Sequence, residues 1–482
     1  HQPAKGQQLD DHYFGSIPER VLNYMRDLET ECHKLGIPVR TRHNEVGPGQ
    51  YELAPMYEEV NIAIDHNQLL MDIMERVAKR HKLAVLLHEK PFNGVNGSGK
   101  HNNWSIATNT GKNLLSPGKN PGKDLKFLTF FVNTIRAVKE HADLLRASVA
   151  SASNDFRLGA NEAPPAIISV YVGKALTEVL HFIAEGKESD KTMVKEVLSL
   201  LKKSPNLELD NTDRNRTSPF AFTGNKFEIR MVGSSMNCSA PMTIMNTIVG
   251  NQLTEFKKEL DLLTSKGESM DTAILSILRK YINESLPILF EGDGYSEEWQ
   301  KEAEKRGLSN TPNTPDALKV YKMDKTSELF QKTGIFSEIE LEAHYTVMVE
   351  NYNLKLEIEA RVLSDLCKSY VLPACYKYQT GIAENIYTLK QLGLQEDAFR
   401  PQSNLLNEIT HHINNVAEKV ETLNQSVNKA VSEAEPEEEA ELFCHLVKPI
   451  MAEIRESVDH LEEIVEDGLW PLAKYREMMF IR

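Results

Sequence analysis

The 482 residues carry 55 Lys and Arg against 70 Asp and Glu, a net charge of -15, and a field of that sign repels phosphate backbones and anionic lipid, so no nucleic-acid partner is expected. With 41% hydrophobic and 26% charged residues, and no apolar run near the roughly 20 residues that cross a bilayer, the composition is that of a globular protein that is not embedded in a membrane. Single cores stop growing at roughly 250–300 residues, so one large domain plus an appendage is expected.

The five cysteines (Cys32, Cys238, Cys367, Cys375, Cys444) are scattered and never form a C-x-x-C pair, which argues against a disulfide framework or a zinc site and for a reducing, cytoplasmic setting. The chain begins at His1 without a Met, so part of the natural protein is expected upstream.

Ser16 to Glu19 reads as a helix start, with Ser16 as cap, Pro18 in the first turn, Leu22, Met25 and Leu28 at helical spacing, and Gly36 as the stop. Val39 to Glu45 reads as extended, Gly47-Pro48-Gly49 as a turn, and Gln50 to Ala54 as a second strand. A helix from about Val60 to Arg80 leads into the apolar run Leu83 to Leu87, expected as a buried strand. A glycine-rich loop, Asn93 to His101, then enters an expected strand from Trp104 to Thr108, with helices from Leu125 to Val149 and near Ala166 to Glu185.

Strict alternation over Lys226 to Val232 predicts a strand with Phe227, Ile229 and Met231 facing a core and Lys226, Glu228 and Arg230 on the other side. From there helices dominate: Met242 to Leu263, Met270 to Phe290 and Ser337 to Val371, the chain changing character near Gly292. Leu406, Ile409, Ile413, Val416, Val420, Leu423, Val427 and Ala430 form a heptad seam. A turn through Glu435-Pro436 joins it to a second stripe, Val447 to Val465, so an antiparallel helical hairpin over 403–467 is expected. Sedimentation of a chain ending near Gln402 distinguishes a hairpin packed internally from one that joins copies.

Four segments carry residue types suited to chemistry. Glu45 and Glu52 flank a tight turn, and paired carboxylates suit a hard cation such as Mg²⁺, although the spacing alone favours a solvated hairpin face. Asn96-Gly97-Ser98-Gly99-Lys100-His101 lets backbone amides approach a ligand and ends on an imidazole, yet it is neither a Walker A loop nor a Rossmann fingerprint. Arg157 and Glu162 share a proline-stiffened loop and could serve as carboxylate fork and movable base, or as a surface ion pair. Arg214-Asn215-Arg216 precedes the strand on which Glu228 and Arg230 share a face, a metal-type beside a phosphate-type ligand.

In this order the four segments resemble the glutamine synthetase superfamily, and the loops and helix-rich tail look like its type III branch. The resemblance implies an α+β fold: a curved antiparallel sheet flanked by helices over residues 1–292, then an all-helical region over 293–482 containing the hairpin. It implies an ATP-dependent glutamate-ammonia ligase using Mg²⁺ or Mn²⁺ and passing through γ-glutamyl phosphate. Carried over residue by residue, Glu45, Glu52, His101 and Glu228 would be metal ligands, and Arg157, Asn96, Gly97 and Arg230 would bind substrate. Arg216, Asn103, Ser105 and Tyr13 would lie by ATP, and Glu162, Arg157 and Arg230 would be catalytic. A homo-oligomer, a dodecamer of two hexameric rings, is implied as well.

Two departures stand out. Ala221 replaces an arginine that many relatives place five residues past the position of Arg216. The family's Glu-x-Glu ligand strand and β-grasp domain have no counterpart, Glu338-Ile339-Glu340 lying in a helical segment. Another ATP-dependent carboxylate-amine ligase and a non-catalytic structural or regulatory relative remain as alternatives. Phosphate release across acid acceptors separates the first, and the full-length reading frame the second.

Overall fold

The computed structural model describes residues 15–117, 124–160, 163–185, 217–432 and 435–479. Of the residues singled out above, Tyr13, Glu162, Arg214, Asn215 and Arg216 lie outside them. The chain divides into two compact units, one over 5–342 and one containing 343–482, with Gly292 inside the first. All five cysteines are free, and among the described residues no helix is long and apolar enough to cross a membrane.

In the first unit, α1 (Glu19–Lys34) buries Val21, Met25, Leu28 and Cys32, the stripe that its spacing requires. Pro18 takes the N-cap position without a side-chain cap, in place of the expected Ser16, and Gly36 turns the chain at φ 78°. β1 (Val39–Asn44) and β2 (Tyr51–Pro55) pair antiparallel, with His43 opposite Glu52. The side chain of Glu59 caps α2 (Val60–Arg80) by accepting from the amides of Asn61 and Ile62, and α1, α2 and β1 enclose a core of Leu28, Ile37, Val39, Leu70 and Val77.

The run Leu83 to Leu87 forms no regular element and joins no ladder among the described residues. Its residues alternate between half-buried and exposed, and the Leu87 carbonyl is taken by the Ser234 hydroxyl at 2.6 Å. A strand needs a neighbour with which to exchange backbone hydrogen bonds.

The expected strand from Trp104 to Thr108 begins earlier, as β3 (Gly99–Trp104), because the glycine-rich segment itself supplies ladder residues. It ends at Trp104, and the chain then turns back through the Thr108 amide on the Lys112 carbonyl at 2.9 Å. The expected single helix after Lys123 is interrupted: α3 (Asp124–Glu140) is followed by a short helix Ala142–Ala147 and by the one-turn α4 (Asn154–Arg157). Near Ala166 the chain forms β4 (Val170–Tyr171) before α5 (Lys174–Glu185). The β-branched run there favours extended backbone, and Gly173 at φ 80° makes the turn into the helix.

With β5 (Phe220–Phe222) and β6 (Phe227–Gly233), the second sheet has the order β3-β6-β5-β4. β3, β6 and β5 pair antiparallel, whereas β4 joins β5 in parallel, so the sheet is mixed where a wholly antiparallel one was expected. The long connection holding α5 supplies the crossover that parallel pairing needs.

One face of this sheet is closed by phenylalanines. Phe227 of β6 stacks on Phe220 at 4.7 Å between centroids and on Phe131 of α3 at 5.7 Å, and Phe222 meets Phe131 edge-on at 4.9 Å. Such pairs contribute about 0.5–1.5 kcal/mol each beyond their buried area. α6 (Ser239–Ser265) and α7 (Met270–Ser285) pack on α3, and the buried Gln252 amide donates to Asn133 at 3.0 Å. The other face is left for polar side chains.

The second unit holds most of α8 (Glu338–Leu366), then α9 (Leu372–Gln391), α10 (Arg400–Val431), α11 (Pro436–Leu442) and α12 (Lys448–Ile464). Two π-helical turns, Cys367–Val371 and Phe443–Val447, precede Pro373 and Pro449. A widened turn there accommodates the proline ring and its missing amide without ending the helix. α10 packs on α12 with Glu408 by His460, Asn415 by Ser457 and Lys419 by Glu453. Ile409, Ile413, Val416, Val420, Leu423, Val427 and Ala430 are buried, as are Val447, Ile450, Ile454, Val458, Leu461 and Val465.

At the end of α12, Glu462 is 5% exposed and accepts from the Tyr475 amide at 2.7 Å. Burial, with Asp459 beside it, pushes its carboxyl up to about 7. An acid whose folded-state pKa exceeds its unfolded value stabilises the protein at low pH, and that contribution fades as pH rises from the ordinary 4.5 through 7. The unfolding midpoint should therefore fall across this window and fall less in Glu462→Gln; identical pH profiles would contradict the assignment.

Candidate active site on the open face of the second sheet

β3 and β6 bring the chemistry together because alternation sends every second side chain to the same side. On β3, His101 and Asn103 are exposed while Trp104 is buried. On β6, Phe227, Ile229 and Met231 point into the phenylalanine layer, leaving Glu228 and Arg230 on the opposite face. Asn103 pairs in register with Glu228. Between Lys100 and Asn102 the register slips, so that two β6 residues, Arg230 and Met231, oppose His101 alone. This bulge re-aims the imidazole at the Glu228–Arg230 pair.

In that pair Arg230 chelates one carboxylate oxygen, donating to Glu228 Oε2 from Nε at 2.9 Å and from Nη2 at 2.7 Å. Burial alone would raise the Glu228 carboxyl, but the Arg230 guanidinium, with His101 and Lys226 nearby, holds it below the usual carboxylate range. The His101 imidazole lies among Glu228, Arg230 and Arg157. Desolvation, with Arg230 and Arg157, pushes its pKa down against the pull of Glu228. The face thus presents a neutral imidazole and an ionised carboxylate, the protonation states that a divalent cation binds.

Arg157, at the end of α4, closes this face. It is 4% exposed, and its Nη2 donates to the Arg230 carbonyl at 3.0 Å. Its guanidinium lies flat on Gly99: a Cβ built there would meet Arg157 Nη2 at 2.1 Å and Cζ at 2.3 Å. Gly97 is constrained likewise, since a Cβ would stand 2.6 Å from the Glu89 carbonyl and 3.4 Å from Arg157 Cγ. The glycines expected to let amides reach a ligand are thus required first by the protein's own arginine. Burial draws the Arg157 pKa down to about 10, opposed chiefly by Glu89. Its Nη1 is buried with no hydrogen-bond partner among the described residues, and such a group calls for a functional explanation.

Glu45 and Glu52 belong to the β1–β2 hairpin, a separate element. Gln50 donates from Nε2 to the Gly97 carbonyl at 3.0 Å and accepts the Gly47 amide at 3.2 Å, which ties the β1–β2 turn to the glycine loop. Glu45 closes that turn through its amide on the Gln50 carbonyl at 3.2 Å. Glu52 lies 3.3 Å from His43 Nδ1. Asn96 is buried at the loop's start. Ser105 caps a local turn, donating to Asn113 at 3.1 Å and to the Asn225 carbonyl at 2.9 Å.

His101, Asn103, Arg157, Glu228 and Arg230 therefore share one face, with Asn96 and Gly97 on the loop that leads into it. Glu45 begins the turn docked to that loop, and Glu52 lies on β2 beside His43. Among the described residues no three His, Cys, Asp or Glu side chains are arranged to hold a metal ion. The buried Ala221 of β5 pairs in register with Glu228, its Cβ supplying no cation there. Two residues that the sequence did not mark are Gln50 and Glu89. A lone Gln in a turn and a lone Glu before Lys-Pro carry no spacing signal.

Family models match two stretches: "Glutamine synthetase, catalytic domain" over residues 3–169 and "Glutamine synthetase C-terminal domain" over residues 273–390. The chain is 48% identical along its whole length to a glutamine synthetase of Bacteroides fragilis, covering 67% of that protein. It is 44% identical to a type-3 glutamine synthetase of Dictyostelium discoideum, over all of this chain and 66% of the relative. It is 41% identical to a glutamine synthetase of Butyrivibrio fibrisolvens, over 99% of this chain and 67% of the relative. It spans about two thirds of the length of these relatives.

The Gly99 contact is testable without any ligand. Gly99→Ala forces the guanidinium of Arg157 off its seat and should destabilise the protein by about 1–3 kcal/mol, read as a lower urea midpoint. An unchanged midpoint would mean that Arg157 does not rest on this Cα.

Proposed function

The chain belongs to the glutamine synthetase family and is a glutamine-forming ligase, and on that premise we propose how its own residues divide the work with glutamate, ammonia and ATP. The observation that carries the proposal is the buried Arg157 fork, seated on glycine beside Arg230 with one nitrogen lacking a hydrogen-bond partner among the described residues. A planar guanidinium takes a carboxylate in two parallel hydrogen bonds. Arg157 binds the carboxylate of glutamate, and Asn96 and Gly97 hold its amino-acid portion. Arg230, joined by Arg216, faces the phosphate under transfer, while Asn103, Ser105 and Tyr13 lie on the nucleotide side.

The donor set fits a divalent cation in part. His101 and Glu228 offer the required protonation states toward the ATP phosphates, and Glu45 and Glu52 offer oxygens beside glutamate; the remaining ligands would come from substrate oxygens and water, as Mg²⁺ prefers. When bound, Mg²⁺ or Mn²⁺ supplies charge neutralisation at the phosphate oxygens.

With its α-carboxylate on Arg157, glutamate presents its γ-carboxylate in line with the terminal phosphorus of ATP, and Arg230 offsets the charge that spreads over the phosphoryl oxygens. γ-Glutamyl phosphate and ADP result. Ammonia then attacks the acyl carbon, Glu162 takes its proton and screens the acyl phosphate from water, and phosphate leaves with the C–O electron pair. In the full-length protein, Arg230→Ala should lower γ-glutamyl transfer by about 10²–10³-fold, the scale of losing one preorganised stabiliser of transition-state charge. Undiminished turnover would reject the role.

The full protein acts as a homo-oligomer, a dodecamer of two hexameric rings in which a neighbour's amino-terminal domain completes the site, and it works in the cytoplasm. What supports assembly is α8, whose Val347, Leu354 and Ile358 stand 52%, 55% and 53% exposed along one helical stripe. Sedimentation of the full-length protein checks this; a monomer at assay concentration contradicts it.

A further inference from the structure

We infer that Glu89 is a positioning residue for the substrate-binding arginine, its buried charge holding Arg157 on the glycine floor of the site; the inference rests on Arg157 taking the carboxylate of glutamate. Glu89 belongs to no motif in the sequence, yet it is 0% exposed. Its Oε1 accepts from the Ser235 amide at 3.0 Å and from the Ser235 hydroxyl at 2.6 Å. Burial draws its carboxyl upward, but hydrogen bonds from Ser153 and Ser235 more than offset this and keep it ionised.

Its placement relative to Arg157 follows from two glycines. Gly99 and Gly233 are register partners at the end of the β3–β6 ladder. A Cβ on Gly99 would strike the Arg157 guanidinium, and a Cβ on Gly233 would strike Glu89 Oε1 at 2.3 Å. The cation and the carboxylate thus occupy the spaces left by two missing side chains on adjacent strands. The backbone repeats the link, since Gly97 has the Glu89 carbonyl on one side and Arg157 Cγ on the other. The Glu89 carbonyl also accepts the Ser98 amide at 2.8 Å, so the same residue fixes the loop that carries Asn96 and Gly97.

The electrostatics require such a group. Lys90 lies close enough to Arg157 for their like charges to oppose each other, and Glu89 lies close enough to act on both Arg157 and Lys100. A guanidinium this buried needs a fixed opposite charge, because removing one member of a buried pair leaves the other uncompensated. Glu89 does not reach the substrate side. It sets the angle and rigidity of the fork that does, and it leaves Nη1 of that fork without an intramolecular partner among the described residues.

The test compares full-length Glu89→Gln, which removes the charge and keeps the shape, with Glu89→Asp and Arg157→Ala, varying glutamate and ATP separately in steady-state assays. The expected result for Glu89→Gln is a glutamate KM raised about tenfold or more, the equivalent of one pK unit of lost interaction, with KM for ATP held within about twofold and partial recovery in Glu89→Asp. If Arg157→Ala raises the glutamate KM and Glu89→Gln does not, the positioning role is overturned while the function of Arg157 stands. If Arg157→Ala leaves that KM unchanged, the role assigned to Arg157 fails and this inference with it. Equal rises in both constants would mark a general structural role and overturn the positioning one. Should Glu89→Gln not accumulate as folded protein, Ser235→Ala, which removes only the hydroxyl donor, is assayed in its place; a wild-type glutamate KM there overturns the inference.

Discussion

A buried guanidinium seated on glycine is the constraint on which the rest of the site depends. Arg157 cannot leave water without a counter-charge and hydrogen-bond acceptors. The fold supplies them from three separate segments: the Arg230 carbonyl on β6, the Glu89 carboxylate before the glycine loop, and the side-chain-free surface of Gly99 and Gly97. Each of these also fixes something else. The Arg230 backbone that receives Arg157 carries a side chain locked to Glu228, and the loop that makes room for it is held from below by Gln50 of the first sheet. Position is thus transmitted from the β1–β2 turn through Gly97 and Arg157 to the Glu228–Arg230 pair.

The same arrangement sorts the charges. The phenylalanine layer of Phe131, Phe220, Phe222 and Phe227 makes the back of the sheet apolar and rigid, so polar groups are confined to the front. There, cationic residues converge in a chain whose net charge is -15. Two guanidiniums on one face offer fork-shaped donors to anionic reactants. The glutamine-forming reaction brings together a dicarboxylic amino acid and a nucleotide triphosphate, and this polarity suits both.

Much of this was legible in the sequence where periodicity governs. The helix Val60–Arg80 begins and ends at the residues expected, and the seam from Ile409 to Ala430 is buried residue for residue. Alternation likewise placed Glu228 and Arg230 on one side of β6. The failures came where a segment depends on partners remote in sequence. Leu83 to Leu87 has the composition of a buried strand and no ladder neighbour among the described residues, and β4 sits inside an expected helix because β5, some fifty residues on, captures it. The glycines of the Asn-Gly-Ser-Gly loop were visible but their reason was not, since only the fold brings Arg157 across them. Glu89 and Gln50 were silent for the same cause: each acts through a contact that no local pattern records.

The account turns on Arg157 and Arg230 addressing the two anionic ends of one reactant. A crystal structure of the full-length protein with a phosphorylated, hydrolysis-resistant analogue of γ-glutamyl phosphate tests this most directly. The analogue's carboxylate is expected within hydrogen-bond distance of the Arg157 guanidinium and its phosphoryl group against the Arg230 side chain, on the His101–Glu228 face. An analogue bound with full occupancy elsewhere, or turned so that Arg157 touches neither group, would contradict it.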